Sequence, residues 1–218
     1  MSNRYLNIAV FASGKGSNFR AILNAIKAGK IQDARVVLVI SNNSDAGALV
    51  TARENNIPTL HISRMQFLAE EEFNGTLLEK LKEYSVNFIV LAGYMKKVDV
   101  SLIRVFKNRI VNIHPALLPK FGGSGMYGIH VHEAVIAEKE NISGVTVHIV
   151  DEEYDHGPIV LQQTVPVVDS DTPESLAARV LKVEHEIYPE AVKLFAEGRI
   201  KVEGQKVTII NSQVGINK

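Results

Sequence analysis

The stretch NIAVFASGKGSN, residues 7–18, decides the fold. Its first six residues, NIAVFA (7–12), read as a strand apolar on both faces, the pattern of a parallel sheet covered by helices. Gly14 and Gly16 then let the backbone turn tightly. Beyond them Phe19, Ile22, Leu23 and Ile26 recur at helical spacing. Strand, glycine turn and helix in that order open a βαβ unit.

The alternation continues outward from this stretch. RVVLVIS (35–41), FIVLAG (88–93) and IVNIH (110–114) read as strands of the same kind, with PTLHI (58–62) a weaker one. Phe73, Leu77, Leu78 and Leu81 mark a helix that Gly75 weakens. After residue 140 the pattern changes: GVTVHIV (144–150) and PIVLQQTVPV (158–167) are close enough to pair antiparallel across DEEYDHG. A long helix is predicted over 172–198, with Thr172 as N-cap, a proline at its first position and a carboxylate in its first turn. Pro189 should kink or split it. RIKVEGQKVTII then reads as a hairpin turning at Glu203–Gly204. The expected architecture is an open, mostly parallel α/β sheet with helices on both faces, and antiparallel strands and a long helix in the C-terminal part. One domain over 1–200 is expected, its halves meeting near 108/109, followed by a hairpin and tail at 199–218.

Composition limits the partners. Lys and Arg total 24, Asp and Glu total 24, and the charges are interspersed, so any anion site must be local. The absence of cysteine excludes disulfides, thiolate catalysis and Cys-ligated metals. The N-terminal apolar run is short, interrupted by Asn7 and followed by a glycine turn, so a strand is expected there and not a signal peptide. No segment approaches the ~20 apolar residues of a membrane helix, and a soluble cytoplasmic protein is the expectation.

Three stretches can carry chemistry. The turn formed by Gly14, Lys15, Gly16, Ser17 and Asn18 lies at a strand's carboxyl end, where Ser17 and Asn18 can cap the next helix and its positive dipole end favours one phosphate. It is neither a Walker A loop nor a dinucleotide fingerprint, since position 19 is Phe. In RIVNIHPALLPKF (109–121), Asn112 and His114 lie on one strand face, and Pro115 ends the ladder there. An amide donor beside an imidazole suits an acyl-transfer oxyanion and its proton. The acidic turn DEEYDHGPI (151–159) can present a carboxylate to His114, which would raise the imidazole's pKa. His130 and His132 lack an obvious third metal ligand; His148 and His185 read as structural, and Glu184 as a solvated helix carboxylate.

GKGSN, LAGYM (91–95), NIHPALLPKF (112–121) and DEEYDHGPI, in that order and at these separations, resemble the folate-dependent formyltransferases, over about residues 7–200. GKGSN and the short length point to those that formylate glycinamide ribonucleotide. The resemblance implies a Rossmann-like fold and formyl transfer from 10-formyltetrahydrofolate to that ribonucleotide's amine in purine synthesis. It implies a catalytic triad of Asn112, His114 and Asp155, with His114 protonated. It also places the ribonucleotide phosphate at Lys15 to Ser17 with their flanks, and its ribose at Glu184. Met95, Lys96, Lys97 and Val98 would line the folate pocket with Asn112, and the loop from Asp151 to Asp155 would close over the pterin. No metal, nucleic acid or membrane is implied, and the state is monomer or homodimer.

Two departures accompany the resemblance. The segment KFGGSGMYGIHVH is about five residues longer between Pro119 and His130 than the family's loop; its glycines suggest a mobile flap, and His130 aligns with the family's loop histidine. A basic residue often found before the third helix is replaced by Glu70, with Arg64 six positions earlier. Competing readings are a formyltetrahydrofolate hydrolase, a transferase for another amine such as methionyl-tRNA, and a non-catalytic folate- or nucleotide-binding protein.

Overall fold

The computed structural model describes residues 5–211, so the first four residues and positions 212–218 of the expected tail lie outside the described residues. The chain enters at the middle of a seven-stranded sheet with β1 (Leu6–Phe11). It steps outward through β2 (Ala34–Ser41) and β3 (Thr59–His61), then returns to pair on the other side of β1 through β4 (Phe88–Leu91) and β5 (Ile110–His114). These five strands are parallel. β6 (Ile142–Ile149) and β7 (Ile159–Pro166) extend the sheet antiparallel, giving the order β3-β2-β1-β4-β5-β6-β7. The strand order reverses between β1 and β4, and crevices at such reversals are where open α/β sheets take their ligands.

Side-chain alternation splits the core into two layers. Ile8 and Val10 of β1 pack with residues of α1 (Ser17–Lys27), α2 (Gly47–Glu54) and α6 (Pro173–Ala196). Ala9 and Phe11 face the opposite way, with Leu77 and Leu81 of α3 (Glu70–Glu83) and Leu102 of α4 (Val100–Val105). The strands are therefore covered on both faces, as their unbroken apolar character requires.

Two sequence expectations need correcting. Pro189 does not split the last helix: α6 runs unbroken for 24 residues. A proline's φ is compatible with a helix, and the lost hydrogen bond is outweighed by burial of Val180, Ile187, Tyr188, Ala191 and Val192 on either side of it. The short helices α2, α4 and α5 (Ile129–Ala137) were not anticipated. The C-terminal hairpin, β8 (Ile200–Glu203) with β9 (Lys206–Ile209), turns at Gly204 as expected. One buried side chain of α6 reaches the sheet: the Tyr188 hydroxyl lies 2.9 Å from the Leu91 carbonyl and 3.0 Å from that of Val111, spanning β4 and β5.

Candidate active site

The glycine turn is built for close approach. Gly16 sits at φ +72, and a Cβ there would lie 2.7 Å from Ala48 Cβ and 2.9 Å from Ala48 Cα, so α2 begins directly against it. Gly16 is also the N-cap of α1 and supplies no side-chain cap; the expected capping by Ser17 and Asn18 does not occur. Asn18 turns inward instead and donates to Glu184 Oε2 at 2.6 Å. The start of α1 thus remains open to an anion. Ser13 ties this turn to the loop after β4: its N–H donates to the Gly93 carbonyl, and its hydroxyl accepts from Met95 N–H at 2.9 Å.

Glu184 is not the solvated carboxylate the helix pattern alone suggests, being 8% exposed. Burial pushes its carboxyl above the usual range, with the Asn18 amide opposing. Asn18 Oδ1 is buried and has no partner among the described residues, leaving an acceptor for a bound molecule.

β5 presents Asn112 and His114 on one face, as the strand period requires, and β6 brings His148 opposite Asn112 in register. Asp155, in the loop after β6, adopts a left-handed φ of +53, a conformation Asp tolerates better than most residues. Its Oδ2 lies 3.5 Å from His114 Nδ1, and its Oδ1 lies 3.5 Å from both Asn112 Nδ2 and His148 Nε2. His114 Nε2 donates to the Phe121 carbonyl at 2.7 Å. Gly123 N–H donates to Asp155 Oδ2 at 3.0 Å.

The expected upward pull of Asp155 on His114 is present but is not the largest influence. Burial, the largest influence, pulls its pKa below the ordinary value; the Asp155 charge and the Phe121 carbonyl push upward without overcoming it. Burial thus favours the neutral imidazole. Nε2 has the nearer acceptor, at 2.7 Å against 3.5 Å for Nδ1, so the neutral ring keeps its proton on Nε2 and Nδ1 is the basic nitrogen. Burial pushes Asp155 upward, yet the neighbouring His148 and His114 and the Gly123 N–H together outweigh it, and its carboxyl lies below the usual value.

His148 is a site residue that the sequence reading missed. Its Nδ1 donates to the Ile149 carbonyl at 3.0 Å, and Nε2 meets Asn112 Nδ2 at 3.1 Å. No local signal distinguishes it from a core histidine; only the register of β6 against β5 does.

These groups line two adjoining cavities. One, of about 400 Å³, is bounded by Asn18, Asn112, His114, Asp155 and Glu184, with Gly123 to Gly128 on its outer side. The other, of about 70 Å³, lies between Lys96, Lys97 and Val98 on one side and Asp151, Tyr154 and Asp155 on the other. Lys97 stands over the Tyr154 ring at 5.4 Å, bridging those two walls. Met95 lines the larger cavity. Lys15 and Ser17 border a separate cleft between α1 and α6. His130 is not brought in: it is exposed on α5 and bonds Glu133, whereas His132, two residues on, is buried. Arg64 and Glu70 line the same further cavity of about 480 Å³, beside Lys96 and Lys97. Among the described residues, no three His, Asp or Glu side chains converge as a metal-binding cluster.

The sequence profile of the family described as formyl transferase matches residues 6–192. The chain belongs to the formyl transferase family. Phosphoribosylglycinamide formyltransferase from Escherichia coli is 37% identical to this formyl transferase, covering 90% of each chain. The chloroplastic phosphoribosylglycinamide formyltransferase of Vigna unguiculata is 44% identical, over 99% of this chain and 69% of that one. The crystal structure of glycinamide ribonucleotide transformylase 1 from Symbiobacterium toebii superposes with a TM-score of 0.89 at 41% identity, over 95% of both chains. A formyltetrahydrofolate deformylase from Pseudomonas syringae, 22% identical with a TM-score of 0.85, shares the fold.

Proposed function

We propose that this formyl transferase moves the formyl group of 10-formyltetrahydrofolate to the primary amine of glycinamide ribonucleotide, releasing tetrahydrofolate, as its relatives' names indicate for them. The observation that carries this reading is the convergence of Asn112, His114 and Asp155 where the two cavities meet. The larger cavity, with the Asn18–Glu184 pair at its inner end and the open start of α1 beside it, suits a phosphorylated ribose. The smaller, between residues 96–98 and 151–155, has room for only part of the donor's pterin, which these two segments would flank. Cytoplasmic location, a monomer or homodimer, and independence of nucleic acid belong to the same reading; no described helix is long and apolar enough to cross a membrane.

The chemistry follows from the geometry. The amine attacks the formyl carbon, and the tetrahedral oxyanion is stabilised by the Asn112 amide, one of whose hydrogens is held only by a long 3.5 Å contact to Asp155. The proton lost by the attacking nitrogen passes to His114 Nδ1, which becomes charged against Asp155 and returns a proton to the departing N10 of the folate. Holding two substrates across one seam removes much of the entropic barrier. The residues present need no metal for these steps.

The test is tetrahydrofolate release from 10-formyltetrahydrofolate with and without glycinamide ribonucleotide, with the product weighed by mass spectrometry. Release that depends on the ribonucleotide supports the transferase; release without it means a hydrolase. His114→Ala should abolish transfer while leaving ribonucleotide binding intact.

A further inference from the structure

We propose that the root of the glycine-rich loop, Phe121 to Gly123, is a backbone clamp that positions both members of the proton-transfer pair, the Phe121 carbonyl fixing the His114 ring and the Gly123 N–H fixing the Asp155 carboxylate. The inference rests on the reading that His114 and Asp155 carry the transfer.

The contacts close a ring. His114 Nε2 meets the Phe121 carbonyl at 2.7 Å, Gly123 N–H meets Asp155 Oδ2 at 3.0 Å, and that same oxygen faces His114 Nδ1 at 3.5 Å. Three consecutive residues thus hold the two side chains against each other from one side. Both partners can only accept, but the carbonyl lies 2.7 Å from Nε2 and the carboxylate 3.5 Å from Nδ1, so the clamp holds the proton on Nε2 and leaves Nδ1 as the base. Once Nδ1 is protonated, each ring N–H has an acceptor, the carbonyl on one side and the carboxylate on the other. The clamp therefore matches the charged ring that forms during reaction better than the neutral ring before it.

The local sequence is what permits this geometry. Phe121 adopts φ +57 and Gly123 φ +98, which turn the carbonyl of one and the N–H of the other inward. At Gly122 an added Cβ would lie 2.5 Å from Leu118 Cδ2 and 3.2 Å from Asp155 Cβ, so a side chain there presses on the carboxylate's own stem. Gly125 shares the strain, with φ +88 and open space around its Cβ position. It makes no hydrogen bond to His114 or Asp155 among the described contacts. The extended loop thus has a positioning end and a covering end.

The experiment compares wild type, Gly123→Ala and Gly125→Ala, both variants forcing a side chain onto a left-handed residue. For each, kcat and the ribonucleotide KM are measured from about pH 5 to 9. Gly123→Ala should lower kcat by about tenfold or more, change KM by less than about threefold, and move the acid limb of kcat to lower pH. The Phe121 carbonyl favours the imidazolium directly and the Gly123 N–H keeps Asp155 ionised beside it, so their loss makes the ring harder to protonate. Gly125→Ala, whatever its effect on turnover, should leave that limb in place. Equal losses with no displaced limb in either variant would overturn the clamp and leave the loop a cover alone. A wild type inactive with the ribonucleotide would instead overturn the transferase reading. Nitrogen-15 NMR of the unmutated protein gives a second, independent arm: neutral His114 should carry its proton on Nε2, and the Nδ1-protonated form would refute the clamp even if Gly123→Ala failed to fold.

Discussion

Replacing Asp155 by Asn changes a charge and almost no volume. The backbone there has φ +53, which Asn tolerates as well as Asp, so the loop keeps its course. The amide oxygen can still accept from Gly123 N–H; what disappears is the negative charge facing His114. For unit charges 3.5 Å apart, an effective dielectric constant of about 20 gives an attraction of about 5 kcal/mol, which bounds the loss at roughly 10³- to 10⁴-fold in rate. The expected outcome is a fall in kcat of about 10³-fold, with ribonucleotide affinity by titration calorimetry within about threefold of wild type. The pH profile should move as well. Asp155 raises the His114 pKa against the stronger lowering by burial, so without it the acid limb of kcat shifts further down. A loss below about tenfold, or a limb that stays in place, would refute the view that Asp155 stabilises a charge formed on His114.

Three further outcomes follow from the structure. Gly16→Ala forces a left-handed alanine against Ala48 and should raise the ribonucleotide KM by about tenfold, measured at saturating folate, with a stability cost of about 1–2 kcal/mol. Tyr188→Phe strips the shared hydroxyl from two buried carbonyls and should cost about 1–3 kcal/mol in urea unfolding, with kcat little changed. Thermal stability should decline as pH falls below the ordinary imidazole value of 6.5, because burial depresses both His114 and His132. The sign follows from linkage: such groups contribute full stability above their unfolded pKa and lose it as pH drops through the folded one. A melting temperature flat from about pH 7 to 5 would contradict this.

Most of the sheet was legible because its strands are buried on both faces and punctuated by glycine or proline. NIAVFA and IVNIH gave their positions to within a residue, and Pro115 marked where β5 ends. The same two-residue period placed Asn112 and His114 together. What escaped were features fixed by long-range pairing. His148 becomes a site residue only through its register opposite Asn112, which no local window contains. The pull on the His114 pKa is set first by how deeply the ring is buried, whereas the sequence offered only its carboxylate partner. Pro189 misled for the opposite reason, since a local propensity was overridden by packing along the whole of α6. Helices α2 and α4, of eight and six residues, are too short to show a periodicity of their own.

The unbroken course of α6 makes the helix a ruler. Glu184 and Tyr188 are four residues apart on one face, the first reaching the larger cavity and the second the carbonyls of Leu91 in β4 and Val111 in β5. Each residue advances an α-helix by about 100° and 1.5 Å, so a single insertion or deletion between Thr172 and Glu184 would swing both side chains away together. Substitutions on the outward positions, such as Leu181 or Lys182, leave that spacing untouched. Descent of this chain should therefore have been free to change the composition of α6's outer face, while its length stayed locked between the cap at Thr172 and the tyrosine under the sheet.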